Sequence, residues 1–66
     1  MDKYQIVLTQ YQNEEKTFNL AASELCDLAE VVTTHKDDDI LSCYFEDESI
    51  EIIIDFSDKT ITTKTN

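Results

Sequence analysis

The spacing of apolar residues changes along the chain, and in the first 20 residues it predicts a β-hairpin. Residues 4–10, YQIVLTQ, are rich in β-branched and aromatic types and place alternate apolar side chains on one face. Residues 17–20, TFNL, again place their two apolar side chains together. The polar segment between them, YQNEEK, suits a loop. We therefore expect two N-terminal strands joined by a hairpin.

The next segment has helical spacing. Apolar side chains recur three to four positions apart from about residue 21 to residue 34, and Asn19 or Ser23 is available as the N-cap. The positions are Ala21, Ala22, Leu25, Leu28, Ala29 and Val32. This pattern predicts one amphipathic helix of about three to four turns.

After the acidic run KDDD the period becomes two. Apolar and polar positions alternate in residues 41–45 and again in residues 50–56. A Thr-rich segment at residues 60–64 has lysines that suit a sheet edge. Turns are expected at residues 46–48 and 57–58. The predicted fold class is α+β, an antiparallel sheet of four to five strands with one packed helix, in the order β-β-α-β-β-β.

Length and composition set further limits. The chain is short enough to form one domain at most, residues 1–66, with a marginal core. Its hydrophobic content of 41% is too high for an acidic disordered tail. Because the sequence has no glycine, turns that need a positive φ must use Asn or Asp. The candidates are Asn13, Asp47 and Asp58.

Charge excludes several classes of partner. Fifteen acidic residues against five lysines give a formal net charge of −10. This charge repels DNA, RNA and anionic lipids, so we expect no direct nucleic-acid or membrane partner. No apolar run reaches the length of a signal peptide or a membrane span, which predicts a cytoplasmic protein. In that compartment Cys26 and Cys43 are expected to be buried, reduced thiols.

The sequence offers little catalytic or metal-binding chemistry. His35, the only histidine, follows the predicted helix end, where a cation complements the helix dipole. Neither cysteine belongs to a recognisable catalytic motif with a histidine, and no CxxC or HxxxH spacing is present for a metal. We therefore expect no enzymatic activity, no cofactor and no metal.

Acidic residues are concentrated in the second half of the chain. Residues 37–58 contain nine acids and no lysine. The candidate partner-binding acids are Glu24, Asp27 and Glu30 on the predicted helix, Glu51 and Asp55 on one strand face, and Glu46, Asp47 and Glu48 at the hairpin end. Their mutual repulsion lowers stability, so we interpret the array as a surface for a cationic protein. Proteins whose grooves hold DNA or RNA have the matching field, which predicts an inhibitor that mimics nucleic acid.

The run ESIEII at residues 48–53 adds a resemblance. Its acid, serine and aliphatic residue at a strand start resemble the Glu-Ser-Ile motif of phage and staphylococcal uracil-DNA glycosylase inhibitors, which are small acidic DNA mimics. In that family the motif strand enters the DNA-binding cleft, and a hydrophobic pocket captures the apolar side chain that the enzyme inserts into DNA. The resemblance implies that Glu48 replaces a phosphate, Ser49 is its hydrogen-bonding neighbour and Ile50 makes an apolar contact.

Other interpretations stay open. A phage or mobile-element inhibitor of a CRISPR effector or a restriction enzyme would use the same carboxylates. An antitoxin, immunity or adaptor module would instead use a sheet edge or the helix face, with acidity serving solubility alone. Ile53 lies between Glu51 and Asp55, where it either contacts a partner or is buried in a second apolar layer or a homodimer. The row of isoleucines and an uncovered edge are compatible with such a homodimer.

Overall fold

Two helices precede four strands. The computed structural model of the protein describes residues 1–36 and 39–66. Asp37 and Asp38, two of the nine acids counted in residues 37–58, lie outside the described residues. The elements are α1 Lys3–Gln12, α2 Phe18–Leu28, β1 Val31–Thr34, β2 Ile40–Phe45, β3 Ile50–Asp55 and β4 Thr60–Thr65. Neither helix is long and apolar enough to cross a membrane.

The strands form one antiparallel sheet in the order β1-β2-β3-β4, each paired with its neighbour in sequence. Cys43 of β2 lies opposite Ile52 of β3, and Ile54 lies opposite Ile61 of β4. The predicted α+β class with an antiparallel sheet of four strands is confirmed, and so are the three C-terminal strands. The number and order of the elements before them differ from the prediction.

Residues 3–12 form a helix, so the strand predicted at residues 4–10 was wrong. The backbone N–H of Asp2, the N-cap, donates a hydrogen bond of 2.9 Å to Gln5 Oε1, which is one half of a capping box. Tyr4 and Val7, one helical turn apart, are both buried. Helical spacing of these two side chains therefore determines the structure here, rather than the alternation of Tyr4 with its apolar neighbours.

The second helix begins earlier and ends earlier than predicted. Thr17 is the N-cap and its Oγ1 accepts a hydrogen bond from Leu20 N at 3.3 Å, so neither Asn19 nor Ser23 has that role. The segment predicted as strand at residues 17–20 is thus the start of α2. The helix ends at Leu28 with Ala29 as its C-cap, and two residues later the β-branched run VVTT begins the edge strand β1.

The helices pack on one face of the sheet, here called the covered face. Its side chains are Leu41, Cys43 and Phe45 of β2 and Ile50, Ile52 and Ile54 of β3. They meet a helical layer whose buried residues are Tyr4, Val7, Ala21, Ala22 and Leu25. Small alanines let α2 approach the strands closely, so that Leu25, Ile52 and Ile54 lose all solvent exposure.

The opposite side of the sheet, here called the open face, has a different composition. Because successive strand side chains point to opposite faces, it consists of the residues that alternate with the core. They are Ile40, Ser42 and Tyr44 of β2 and Glu51, Ile53 and Asp55 of β3. None of these residues belongs to the hydrophobic core. Both helices therefore leave this face uncovered.

Candidate partner-binding surface

Three consecutive acids connect β2 to β3 in an unusual backbone conformation. Glu46, Asp47 and Glu48, here called the acidic turn, have φ angles of 54°, 57° and 67°. This left-handed region disfavours residues that carry a Cβ, at a cost of roughly 1 kcal/mol each. Asp47 thus has the positive φ that was predicted for it, whereas Glu14 and Lys59, not the adjacent Asn13 and Asp58, have it elsewhere.

Contacts from three distant parts of the chain hold the acidic turn. The Tyr4 hydroxyl of α1 donates a hydrogen bond to the Glu46 carboxylate. Glu30 Oε1 accepts a hydrogen bond of 3.0 Å from Asp47 N. Asn66 Nδ2 donates to the Glu48 carbonyl at 3.2 Å. The strained turn is therefore fixed by tertiary structure, and its carboxylates are presented from a rigid base.

Negative charge accumulates around this end of the sheet. The hydrogen bond to Glu46, followed by burial and by the negative charges of Glu46 and Asp2, raises the pKa of Tyr4 to about 12. The Tyr4 ring stacks on Phe45, the last residue of β2, with ring centroids 4.4 Å apart. This stacking brings the start of α1, with Asp2, to the same end of the molecule as the acidic turn.

The residues of the Glu-Ser-Ile triplet have separate positions in the fold. Glu48 is exposed. Ser49 Oγ donates a hydrogen bond of 2.7 Å to the Glu46 carbonyl, so this hydroxyl closes the turn rather than bonding to Glu48. Ile50 is half-buried and packs against the core. Glu48 is therefore the member of the triplet whose side chain is most available to a partner.

A chain of hydrogen bonds crosses the open face. Ser42 Oγ donates to Glu51 Oε2 at 2.8 Å and lies 2.6 Å from His35 Nε2. Because the Ser42 hydroxyl gives its only proton to Glu51, Nε2 of His35 must carry the proton that it shares with Ser42. The expectation that His35 complements a helix end was wrong, since it follows β1 and α2 ends seven residues earlier, at Leu28.

The order of these three groups does not suit nucleophilic catalysis. A serine nucleophile needs a histidine between itself and the carboxylate that orients it. Here Ser42 lies between His35 and Glu51, and its side chain has no exposed surface. The arrangement instead fixes the Glu51 carboxylate on the open face, next to the half-buried Ile53.

Asp55, at the far end of β3, has a structural role in the following turn. Its Oδ1 accepts hydrogen bonds from Ser57 N at 2.9 Å and Asp58 N at 3.0 Å. With Asp39, these residues line a polar cleft of about 360 Å³. Among the described residues, no group of three or more His, Cys, Asp or Glu side chains could hold a metal ion.

The acids predicted on the helix do not join those of the sheet in one array. Glu24 forms an ion pair with Lys16, and both line a groove between α1 and α2 that Asp27 also borders. Glu30, predicted on the helix, lies beyond its end and contacts the acidic turn. The helical layer and the open face are on opposite sides of the sheet. A continuous track from Glu24 through Asp27 to Glu51 is therefore ruled out.

The groove between the helices is lined by both apolar and charged side chains. Its volume is about 420 Å³. The apolar side chains are Ile6, Val7 and Leu28, and the charged ones are Lys3 and Lys16 as well as the two helix acids. Gln10 Oε1 is buried in this wall without a hydrogen-bond partner among the described residues. The groove can accommodate an apolar side chain that also donates a hydrogen bond.

Sequence reasoning missed Tyr4, Asn66 and Asp2, which accompany the acidic turn. The pair Asp2 and Gln5 is a capping signature that would have placed a helix at the N-terminus. No local signal in the sequence indicates the contact of Asn66 with Glu48, since the two are far apart in the chain. Comparisons of the chain with family models, with curated proteins and with solved structures give no match.

Proposed function

We propose that this protein is a phage or mobile-element inhibitor that mimics nucleic acid and occupies the DNA-binding groove of a host enzyme. The observation that supports the proposal is the acidic turn, whose three carboxylates stand on a strained backbone held by Tyr4, Glu30 and Asn66. Backbone strain maintained by tertiary contacts is typical of functional positions. The proposed role is binding, with no catalytic step and no cofactor.

Rigid carboxylates suit this role for two physical reasons. A groove that binds phosphates has fixed lysines and arginines, and carboxylates already held in place lose little conformational entropy when they meet them. The formal charge of −10 also accelerates encounter with a cationic groove through electrostatic steering. Among the described residues the structure has a single ion pair, Lys16 with Glu24, which lies on the helical layer away from the acidic turn.

The proposed interface comprises the acidic turn with the adjoining part of the open face. Glu48 is the first candidate for a phosphate surrogate, and Glu51 and Ile53 extend the surface along β3. Ser49 and Ile50 contribute mainly by shaping the turn and packing beneath it. Glu24 and Asp27 belong to the groove between the helices, which is a separate candidate for capturing an apolar side chain of the target.

Uracil-DNA glycosylase is the first target to test because of the Glu-Ser-Ile resemblance. The assay is uracil excision by a bacterial uracil-DNA glycosylase, with the protein titrated at moderate salt. The test variant is Asp47→Asn with Glu48→Gln, which retains the contacts of Glu46 with Tyr4 and of Glu30 with the turn. The matched control is Glu15→Gln with Asp58→Asn, which changes the net charge equally at exposed positions elsewhere.

The expected result is stoichiometric inhibition by the natural protein and a loss of at least about 30-fold in affinity, roughly 2 kcal/mol, in the test variant. The control should stay within about threefold, because distant exposed charges act mainly through screened long-range fields. Equal losses in both variants would indicate that total charge, not this surface, is responsible. If the glycosylase is not inhibited, the same two variants should be tested for binding to CRISPR effectors and restriction enzymes. There the same carboxylates would oppose basic DNA-binding residues.

The edge strand β4 supports a second candidate, an antitoxin, immunity or adaptor module. Residues 60–65 contain no acid, and the strand is paired on one side only, with β3. Such an edge can accept a strand from a partner or from a second copy of the chain. This candidate predicts that the acidic-turn variant binds its partner within about 1 kcal/mol of the natural protein.

A further inference from the structure

The two cysteines meet at the interface between the helical layer and the sheet. Cys26 lies on α2 and Cys43 on β2, and their sulfur atoms are 3.8 Å apart. Both are free thiols. Cys43 has no exposed surface, whereas Cys26 is partly exposed at the edge of the core. One residue of the pair is thus partly exposed, and the other is fully buried beside it.

This geometry is close to that required for a covalent bond. A disulfide has a sulfur–sulfur distance of about 2.05 Å, so the two atoms must approach by less than about 2 Å. Side-chain rotation and a small shift of α2 relative to β2 can supply such a movement. Among the described residues no third thiol, histidine or carboxylate joins the pair in a metal-binding group. The contact therefore points to thiol oxidation rather than to metal binding.

We propose that Cys26 and Cys43 are an oxidisable dithiol, which a peroxide converts to an intramolecular disulfide between α2 and β2. The Cys26 thiolate attacks one oxygen of the peroxide, the O–O bond breaks, and the released hydroxide takes a proton to become water. The sulfur of Cys43 then attacks the Cys26 sulfenic acid. The S–O bond breaks, and the hydroxide leaves as water with the proton of Cys43. Two thiols lose two electrons, and the peroxide accepts them.

The environment of the two thiols sets this order of events. Burial raises the pKa of Cys43 to about 12. The negative charge of a Cys26 thiolate and the hydrogen bond between the two cysteines make smaller contributions in the same direction. Cys43 therefore remains a thiol at neutral pH, in contact with the partly exposed Cys26. A reducing compartment keeps the pair as a dithiol, so the reduced form is the resting state. A rise in peroxide is the condition that favours the bond.

The bond would change the protein in a measurable way. It closes the segment between Cys26 and Cys43, which contains Glu30 and the edge strand β1. Closing this segment restricts the unfolded chain, and we expect the equilibrium constant for unfolding to fall by roughly 100-fold. Because Glu30 accepts the hydrogen bond from Asp47 N, oxidation also stiffens one support of the acidic turn.

The test is oxidation of the purified protein by hydrogen peroxide, followed by blocking of free thiols with N-ethylmaleimide and mass spectrometry. The expected product is a monomer about 2 Da lighter that takes up no N-ethylmaleimide. Proteolysis should yield a peptide that joins Cys26 to Cys43. Reduction with dithiothreitol should restore both thiols and lower the urea midpoint of unfolding again. Cys26→Ala, altered at the partly exposed position, should retain the fold and give no such product.

Two results would overturn the inference. One is oxidation of the natural protein to sulfinic acid or to linked dimers without the lighter monomer, because this would mean that the sulfur atoms cannot close the remaining distance. The other is a lighter monomer that yields no peptide joining Cys26 to Cys43 and still takes up N-ethylmaleimide. Cys43→Ala serves as a second variant, and only a sulfenic acid or a higher oxide of Cys26 is expected from it.

Discussion

Each face of the sheet has side chains that are completely buried, but the two faces bury them by different means. On the covered face Ile52 loses its exposure against apolar side chains of the helices. On the open face Ser42 is equally buried, although neither helix covers it, because His35 and Glu51 close over its hydroxyl. The first solution depends on apolar packing, and the second depends on hydrogen bonds between polar side chains.

The two faces therefore have different roles: the covered face stabilises the fold, and the open face presents side chains to a partner. Burial of apolar area contributes free energy roughly in proportion to the area removed from water, whereas a hydrogen bond exchanged with water contributes about 1 kcal/mol. The covered face therefore supplies most of the free energy of folding. The open face is ordered at little energetic gain, so its carboxylates and Ile53 can meet a partner without disturbing the core.

The largest expected effect compares adjacent residues on β3. Ile52→Ala leaves a cavity in the covered face and should lower the free energy of unfolding by about 3 to 4 kcal/mol. Ile53→Ala, on the open face, should cost about 1 kcal/mol because its side chain is only half-buried. Urea unfolding of both variants measures the ratio. Equal costs would mean that the open face is packed as tightly as the covered one.

Ser42→Ala should have the next largest effect, about 1 to 2 kcal/mol. The change removes the buried hydroxyl that joins His35 to Glu51 and leaves the His35 nitrogen and the Glu51 carboxylate oxygen without this partner. Thr62→Ala, an exposed position of β4 opposite Ile53, is the matched control and should change stability by less than about 0.5 kcal/mol. If the two variants are equally stable, the hydrogen-bond chain contributes nothing to the order of this face.

Alkaline pH should lower the stability of the protein through Tyr4, which contacts the acidic turn, and Cys43, which lies on the covered face. The folded protein holds the protons of Tyr4 and Cys43 more tightly than the unfolded chain, whose ordinary pKa values are 10.0 and 9.0. Their stabilisation is complete below those values and is lost as the pH rises toward about 12. The urea midpoint should therefore fall between about pH 9 and pH 12.

The Tyr4→Phe variant measures how much of the fall in stability at alkaline pH is due to Tyr4. It removes the hydrogen bond to the Glu46 carboxylate and should cost about 1.5 kcal/mol at pH 8. Its urea midpoint should then change less between pH 10 and pH 12 than that of the natural protein. Tyr11→Phe, whose hydroxyl makes no hydrogen bond to the described residues, is the control. An unchanged alkaline profile in Tyr4→Phe would contradict the role of this contact.

The smallest expected effect is a gain in stability. Asp47→Gly relieves the positive φ of 57° and should raise the free energy of unfolding by about 0.5 kcal/mol relative to Asp47→Asn, which removes the same charge. Thermal unfolding of the two variants measures the difference. A glycine variant less stable than the asparagine variant would show that the turn stores no strain.

Strands β2 and β3 were predictable because the sheet has one buried face, whereas β1 falls in the segment that was predicted as helix. Alternation in β2 and β3 follows directly from that face, and the positions of Cys43, Phe45, Ile52 and Ile54 in the core agree with it. The N-terminus was not predictable in the same way. In residues 4–10 the apolar side chains satisfy both a period of two and helical spacing, and a short run of this kind does not separate the two structures. The capping pair Asp2 and Gln5 was the signal that favours the helix.

The acids were identified from the sequence, but their grouping was not. Glu30 continues the helical series of Glu24 and Asp27 in sequence, yet the β-branched run after it ends the helix and turns Glu30 toward the acidic turn. The contact of Tyr4 with Glu46 joins residues that are 42 positions apart. Contacts of this kind depend on the packing of whole elements, so no local pattern indicates them.

The ends of the described chain meet at the acidic turn, and this affects how the protein can be handled. Asn66 donates its backbone N–H to the Ser49 carbonyl at 2.8 Å, and Tyr4 binds Glu46 in the same loop. A purification tag or a fluorescent protein fused to residue 1 or residue 66 would emerge beside the proposed interface and could shield it. An insertion at residues 56–59, in the turn at the opposite end of β3, leaves that surface clear.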